Sequence, residues 1–172
     1  MGKELISDDV ISINEFDETM YHDVWQNSLD KNNRKFVPDE VFETLEDAKE
    51  VVDQLMLNYE TSEAPLVYAV IRKTDLANMG YVQLVQIDIG YEIGYHIAEK
   101  YTNNGYASRA VKLFLEYLRN NTDLKEIYGI ALSTNKASKR VLEKNGFVLF
   151  FEGVDWYQGK RRKIVKTIAK LA

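Results

Sequence analysis

The sequence predicts an α/β fold in which a mixed, mostly antiparallel sheet carries helices on both faces. Three observations predict it. A strand-period run, Tyr91 to Ala98, gives way around Asn103-Asn104-Gly105-Tyr106-Ala107 to a helix-period run, and the apolar run Glu126 to Ser133 follows that helix. Strand, helix, strand in that order is a crossover unit, whose two strands should lie parallel and adjacent. The strands of the first half are joined instead by short turns, which makes them antiparallel. The length of 172 residues suits a single domain, taken as residues 1–172, and is enough to bury a sizeable core.

In chain order, Val10 to Phe16 alternates apolar and polar residues and reads as a strand, and Thr19 to Leu29 reads as a short helix. A stronger helix begins after Thr44. There Thr44 with Asp47 resembles a capping box, and Leu45, Ala48, Val51, Val52, Leu55 and Met56 form an apolar stripe. Pro65 to Arg72 and Met79 to Asp88 read as two strands with a turn around Asp75 to Asn78, and Tyr91 to Ala98 is a third. The helix from Gly105 sets Ala107, Ala110, Val111, Phe114, Leu115 and Leu118 on one face. Glu126 to Ser133 is almost continuously apolar, the pattern of a strand covered on both sides. A short helix follows with Asn135 as its N-cap and Gly146 as its C-cap. Phe147 to Glu152 and Arg162 to Ile168 read as two further strands.

Hydrophobic residues make up 45% and charged residues 28%, with a net charge of -5. That balance argues against nucleic acid or an anionic membrane as partner, since both need a basic footprint, and it tolerates a cationic substrate. There is no cysteine, which excludes disulfides, thiolate nucleophiles and cysteine metal sites. The two histidines, His22 and His96, sit in no ligand-spaced motif, so no metal is expected. No apolar run approaches the ~20 residues of a membrane span. The opening MGKELIS lacks the apolar centre of a signal peptide, and Ile6 stands where myristoylation requires Ser or Thr. A soluble, cytoplasmic protein is the expectation.

Gly105 falls where a strand hands over to a helix. Amides Gly105 to Ala107 would lie at an open helix N-terminus, where unpaired N–H groups and the dipole favour an anion. No Lys-Ser/Thr follows, so this is no Walker loop, and there is no G-x-G-x-x-G. A plain strand-to-helix turn accounts for the residues equally well.

A second stretch decides between them. Thr102-Asn103-Asn104-Gly105-Tyr106-Ala107 fits the Q/R-x-x-G-x-G/A pyrophosphate loop except at its first residue. Asn135, Ser138, Val141, Leu142, Lys144, Gly146 and Phe147 meet N-x-x-S-x-x-V-L-x-K-x-G-F in full. With both motifs in order on either side of a crossover strand, the chain resembles the GNAT superfamily of N-acetyltransferases from roughly Gly80 to Phe147. It stands nearest to the branch of ribosomal-protein-alanine acetyltransferases. It departs from that pattern at Thr102 for Gln or Arg, at Arg109 for Glu, and at Leu142, where many members carry a tyrosine acid.

The resemblance implies a GNAT-like sheet whose parallel strand pair splays around a CoA site, with acetyl-CoA as cosubstrate and no metal. The pyrophosphate would lie on Asn103, Asn104, Gly105, Tyr106 and Ala107 beside Thr102. Pantetheine would run between Tyr95 to Ala98 and Ile130 to Ser133, pairing through Ile97, with Asn135 and Ser138 facing it. Asn135 as a pure N-cap and Ser138 as a solvated hydroxyl are the alternatives. Without cysteine, direct transfer to a primary amine is the simplest chemistry. An alkylammonium of pKa ~10.4 must first lose a proton. The Ile97 N–H is the candidate oxyanion donor and Ser138 the candidate donor to the leaving thiolate. Glu92 and His96 share a strand side but lie ~13 Å apart, so both cannot serve one proton. Glu92, further from the loop, is the expected base, against the alternative of a structural salt bridge; Asp88 and Glu152 stand in reserve.

The expected function is acetyl transfer from acetyl-CoA to a protein N-terminus or a small-molecule amine. A non-catalytic acetyl-CoA sensor, or an α/β interaction domain without cofactor, are the alternatives, and a homodimer is compatible with either. Gly159 to Lys163 reads as a solvated turn beside an edge strand rather than a 3′-phosphate site. Trp156 to Gln158 fit an acceptor wall or core packing equally well, and Tyr21, Trp25 and Phe36 are further candidates for shaping the acceptor pocket.

Overall fold

The computed structural model describes residues 1–172. Its strands are β1 (Glu4–Ser7), β2 (Ile11–Glu15), β3 (Leu66–Arg72), β4 (Asn78–Ile87), β5 (Gly90–Ile97), β6 (Glu126–Leu132), β7 (Val148–Tyr157) and β8 (Lys160–Lys170). The helices are α1 (Tyr21–Ser28), α2 (Lys31–Phe36), α3 (Leu45–Thr61), α4 (Tyr106–Asn121) and α5 (Lys136–Lys144). All eight strands form one sheet in the order β1-β2-β3-β4-β5-β6-β8-β7. Every neighbouring pair is antiparallel except β5 and β6, the pair that α4 connects.

The two faces bury different helices. Phe114 and Leu118 of α4 and Leu142 of α5 share a core with Val82, Leu84, Ile93 and Ile97. Val52 and Leu55 of α3 pack with Phe16, Met20, Ala69 and Ile71 on the opposite face. Each of these side chains larger than alanine contributes about 1.5–3 kcal/mol by leaving water.

Local chemistry sets the helix ends. At α3, Thr44 Oγ1 accepts from the Asp47 N–H and Asp47 Oδ2 accepts from the Thr44 N–H, both at 3.2 Å, which closes the capping box. At the end of α5 the Phe147 N–H donates to the Leu142 carbonyl and the Gly146 N–H to Glu143. That is a Schellman closure, with Gly146 one residue past the cap at φ 82°.

Several readings need correction. The β3–β4 turn lies at Lys73–Asp75, earlier than expected. β6 is not covered on both sides: Ile127, Gly129 and Ala131 are buried while Tyr128, Ile130 and Leu132 are only partly covered, because its other face borders a cleft. β7 and β8 are longer than read, since Gln158 (φ 52°) and Gly159 (φ 78°) make a two-residue turn that keeps both strands paired to its edge. Lys160 to Lys163 therefore belong to β8 rather than to a turn, but they run beyond the β6 ladder, pair only with the edge strand β7 and stay largely exposed. β1 and α2 went unread, being 4 and 6 residues long.

Candidate active site

β5 and β6 share a single register pair, Glu92 with Tyr128. Beyond it the strands separate and leave a cleft of about 960 Å³ that Glu92, Tyr95, Ile97, Ile130, Asn135 and Ser138 help to line. The Ala98 N–H donates to Met79 of β4. Successive strand amides alternate in direction, so the Ile97 N–H faces the gap, as an oxyanion donor requires. Of the sequence-expected cofactor residues, Tyr95, Ile97, Thr102, Ala107, Asn135 and Ser138 border this one space, Asn103 to Tyr106 lie outside its lining, and Ala98 is buried with its amide bonded to β4.

Glu92 stands at the point of divergence, half-buried, with Val85 beside it on β4. Burial alone pushes its carboxyl up to about 7; no cation or hydrogen bond offsets the desolvation. The salt-bridge alternative is thus not realised. A carboxyl raised in the folded chain binds its proton more tightly there than when unfolded. Its ionisation therefore costs nothing below pH ~4 and costs stability increasingly as pH rises through 7. Glu92→Gln should match the parent in thermal unfolding at pH 4 and exceed it at pH 8 by on the order of 2–3 kcal/mol. Equal stability at both pH values would contradict a strained carboxylate.

The loop before α4 leaves its helix N-terminus open. Asn103 (φ 65°) and Gly105 (φ 77°) are both left-handed, and no side chain caps the helix. Alternating handedness turns successive N–H groups inward, the arrangement of an anion nest. A Cβ on Gly105 would meet nothing within 4 Å. Glycine is needed there for its backbone angle and for whatever approaches, not to avoid a protein neighbour. Thr102 Oγ1 donates to Glu99 O at 2.7 Å, and Asn104 Nδ2 donates to Tyr101 O and Thr102 O, so both side chains brace the loop. Arg109, off-pattern in the sequence, ties α4 to the β1–β2 turn through Asp8 at 2.6 Å.

On the α5 side, Asn135 Oδ1 accepts from the Ser138 N–H at 3.1 Å, so its carbonyl serves as the N-cap. Ser138 is not a free hydroxyl. The Tyr95 hydroxyl, reaching over from β5, donates to the Ser138 carbonyl at 3.0 Å and lies 2.7 Å from Ser138 Oγ. Leu142 is 1% exposed in the core, against Gly129, and has no part in the cleft.

The opposite face holds residues that motifs did not reveal. Tyr157 donates to Ile130 O at 3.4 Å, and its hydroxyl is pushed up by burial and by the carboxylates of Glu92 and Glu40. Glu40 is raised by burial and accepts from the Tyr81 hydroxyl. Gln83 lies across Gly94, where a Cβ would come within 2.5 Å of its amide. His96 shares this face with Glu92. Burial holds its imidazole down, and its Nε2, buried without a partner, stays 3.8 Å from Asp30. Strand parity was the one signal that could have grouped Tyr81, Gln83, Glu92 and His96. Of the expected acceptor-wall residues, Phe36, Trp156, Tyr157 and Gln158 line the cleft. Tyr21 instead bonds Asp53, and Trp25 bonds Glu43 O. Asp88 is exposed at the β4–β5 turn, on the cleft's margin, and Glu152 is exposed outside it. No helix is long and apolar enough to cross a membrane.

Residues 12–148 match the family described as the acetyltransferase (GNAT) domain. An uncharacterized N-acetyltransferase of Bacillus subtilis, YnaD, is 31% identical over 136 residues, spanning 78% of this chain and 76% of its own. A GNAT-family acetyltransferase from Bacillus anthracis superposes with a TM-score of 0.80 at 24% identity, covering 96% of this chain and 98% of that one. A ribosomal L7/L12 α-N-protein acetyltransferase in complex with coenzyme A gives a TM-score of 0.80 at 16% identity, covering 98% of each chain.

Proposed function

The chain belongs to the GNAT acetyltransferase family, and from that premise we propose that it passes the acetyl group of acetyl-CoA directly to a primary amine, with Glu92 as the base. The amine is a protein N-terminus or a small molecule. One observation carries the reading. Two parallel strands part at Glu92 and open toward a helix N-terminus whose amides no side chain occupies.

The residues fit the donor. The nest at Asn103, Asn104 and Gly105, with the first amides of α4 at Tyr106 and Ala107, would hold the pyrophosphate. The gap-facing edges of β5 from Tyr95 to Ile97 and of β6 would hold the pantetheine arm, whereas the Ala98 amide is already bonded to β4. Acetyl-CoA supplies a thioester, whose carbonyl carbon is the electrophile. Glu92 takes the proton that an ammonium must lose before its nitrogen can attack, directly or through water. With its carboxyl at about 7, it is partly ionised at neutral pH and can release the proton again. The Ile97 N–H donates to the carbonyl oxygen as negative charge gathers there. The Ser138 hydroxyl donates to the sulfur as the carbon–sulfur bond breaks. Tyr95 holds that hydroxyl in place by turning its own O–H from the Ser138 carbonyl to Ser138 Oγ, which frees the serine proton for the sulfur.

Incubation with acetyl-CoA and a panel of primary amines should release CoA thiol and yield the N-acetylated amine by mass spectrometry. Acetyl-CoA that binds and persists with every amine would overturn the reading in favour of a sensor. Tyr95→Phe should lower kcat about tenfold, the order of one lost positioning hydrogen bond, while leaving the amine KM unchanged. A change confined to KM would place Tyr95 in binding only.

A further inference from the structure

The cleft does not end at the sheet. Glu40, Pro65, Tyr81, Gln83 and His96 line both it and a second chamber of about 210 Å³ between α1, α3 and the β3–β4 pair. Most of the chamber's own wall is apolar, from Phe16, Val24, Phe42, Val51, Leu55 and Val67, and the Asn27, Ser28, Asn33 and Asn78 side chains that also line it are tied to backbone groups. Protein cores leave few voids larger than a water molecule, and an apolar cavity of about 150 Å³ already takes a benzene ring. A chamber of this size, opening into the cleft that holds the candidate base, is therefore more than a packing gap.

The titratable groups of its lining, Glu40, Tyr81 and His96, all gather at its mouth. There Glu40 accepts from Tyr81, Gln83 spans Gly94, and His96 Nε2 lacks a partner. Gln83 pairs with Gly94 and Tyr81 with His96, two and four residues along β5 from Glu92. At strand spacing these lie roughly 7 and 13 Å from Glu92.

We propose that this chamber is a second acceptor subsite, which takes a ring-sized apolar group carried roughly 7–13 Å from the reacting amine. The acceptor class is thus an amphiphilic primary amine: nitrogen at Glu92, a short linker past Gln83 and Glu40, and an apolar end among Val51, Val67 and Phe42. The amine end rests on the acetyl-transfer reading. The chamber's affinity for an apolar group does not, and it can be measured without turnover.

The test is a calorimetric titration of phenylbutylamine and of butylamine into the full chain, alone and with CoA. Parallel titrations use Val67→Phe on β3 and Val51→Phe on α3, which fill the chamber from different elements. Phenylbutylamine should bind the parent at least about tenfold tighter than butylamine. In each filled variant that keeps the parent's circular dichroism, the gap should fall below about threefold with CoA affinity unchanged. Equal affinities in the parent, or a gap that survives filling, would overturn the proposal. If neither variant folds, the comparison in the parent decides. The tripeptide amides Ala-Gly-Phe and Ala-Gly-Gly identify the source: a gap between them marks a protein N-terminus, and a gap confined to the arylalkylamine pair marks a small molecule. If the gap is present but no amine draws acetyl from acetyl-CoA, the subsite stands and the proposed reaction falls.

Discussion

Gly105→Asp should weaken acetyl-CoA binding at least about 100-fold in a calorimetric titration, with the fold intact. The position tolerates the change locally. Asp is among the residues that accept a left-handed φ, and a Cβ there meets nothing within 4 Å. The loss comes from the ligand side. A carboxylate would sit in the nest formed by Asn103 and Gly105 and repel a pyrophosphate. It would also satisfy the helix amides itself, as an N-cap does. Gly105→Asn separates the causes, having nearly the same shape and φ tolerance without the charge. It should lose no more than about tenfold. Equal losses for Asn and Asp would mean that the side chain blocks by bulk. No loss for either would mean that the loop is only a turn.

Glu92→Gln should lower kcat by about 100-fold or more, the usual contribution of a positioned general base, while acetyl-CoA binds as before. The substitution keeps the side-chain shape in a half-buried site and removes only proton acceptance. A purely structural role predicts the opposite pattern. Because burial alone raises the carboxyl, Gln would relieve that cost, and the variant would be both more stable and fully active. Stability and activity should therefore move in opposite directions at this one residue, the signature of a strained group kept for its chemistry.

Much of this was legible in the sequence because its signals are local. The strand-to-helix handover at Gly105, the Thr44 and Asp47 box, and the Asn135 to Phe147 helix with its caps each depend on a few neighbouring residues. The crossover rule then placed β5 beside β6 without further information. What escaped depended on residues far apart in the chain. Glu126 to Ser133 looked covered on both sides because Ile130 and Leu132 are apolar, yet that side borders the cleft. Tyr95 meets Ser138 across 43 positions, so no spacing rule could pair them. Tyr81 and Gln83 on β4, with Glu40 and Tyr157 from distant loops and strands, come together on the proposed acceptor side only once β4 and β5 are in register. The GKRRK run proved largely exposed beside the edge strand β7, as read, but only the β7–β8 pairing shows that the turn is confined to Gln158 and Gly159 and that Lys160 to Lys163 are already strand.

The most direct test of Glu92 as base at the strand divergence is kcat/KM for one good amine acceptor across pH 5 to 9, for the parent and Glu92→Gln. The parent profile should rise with unit slope and bend near pH 7, the value to which burial pushes Glu92. In the variant the bend near 7 should be absent and the plateau about 100-fold lower. The same bend in both proteins, with comparable plateaus, would contradict the account and assign the proton to another group.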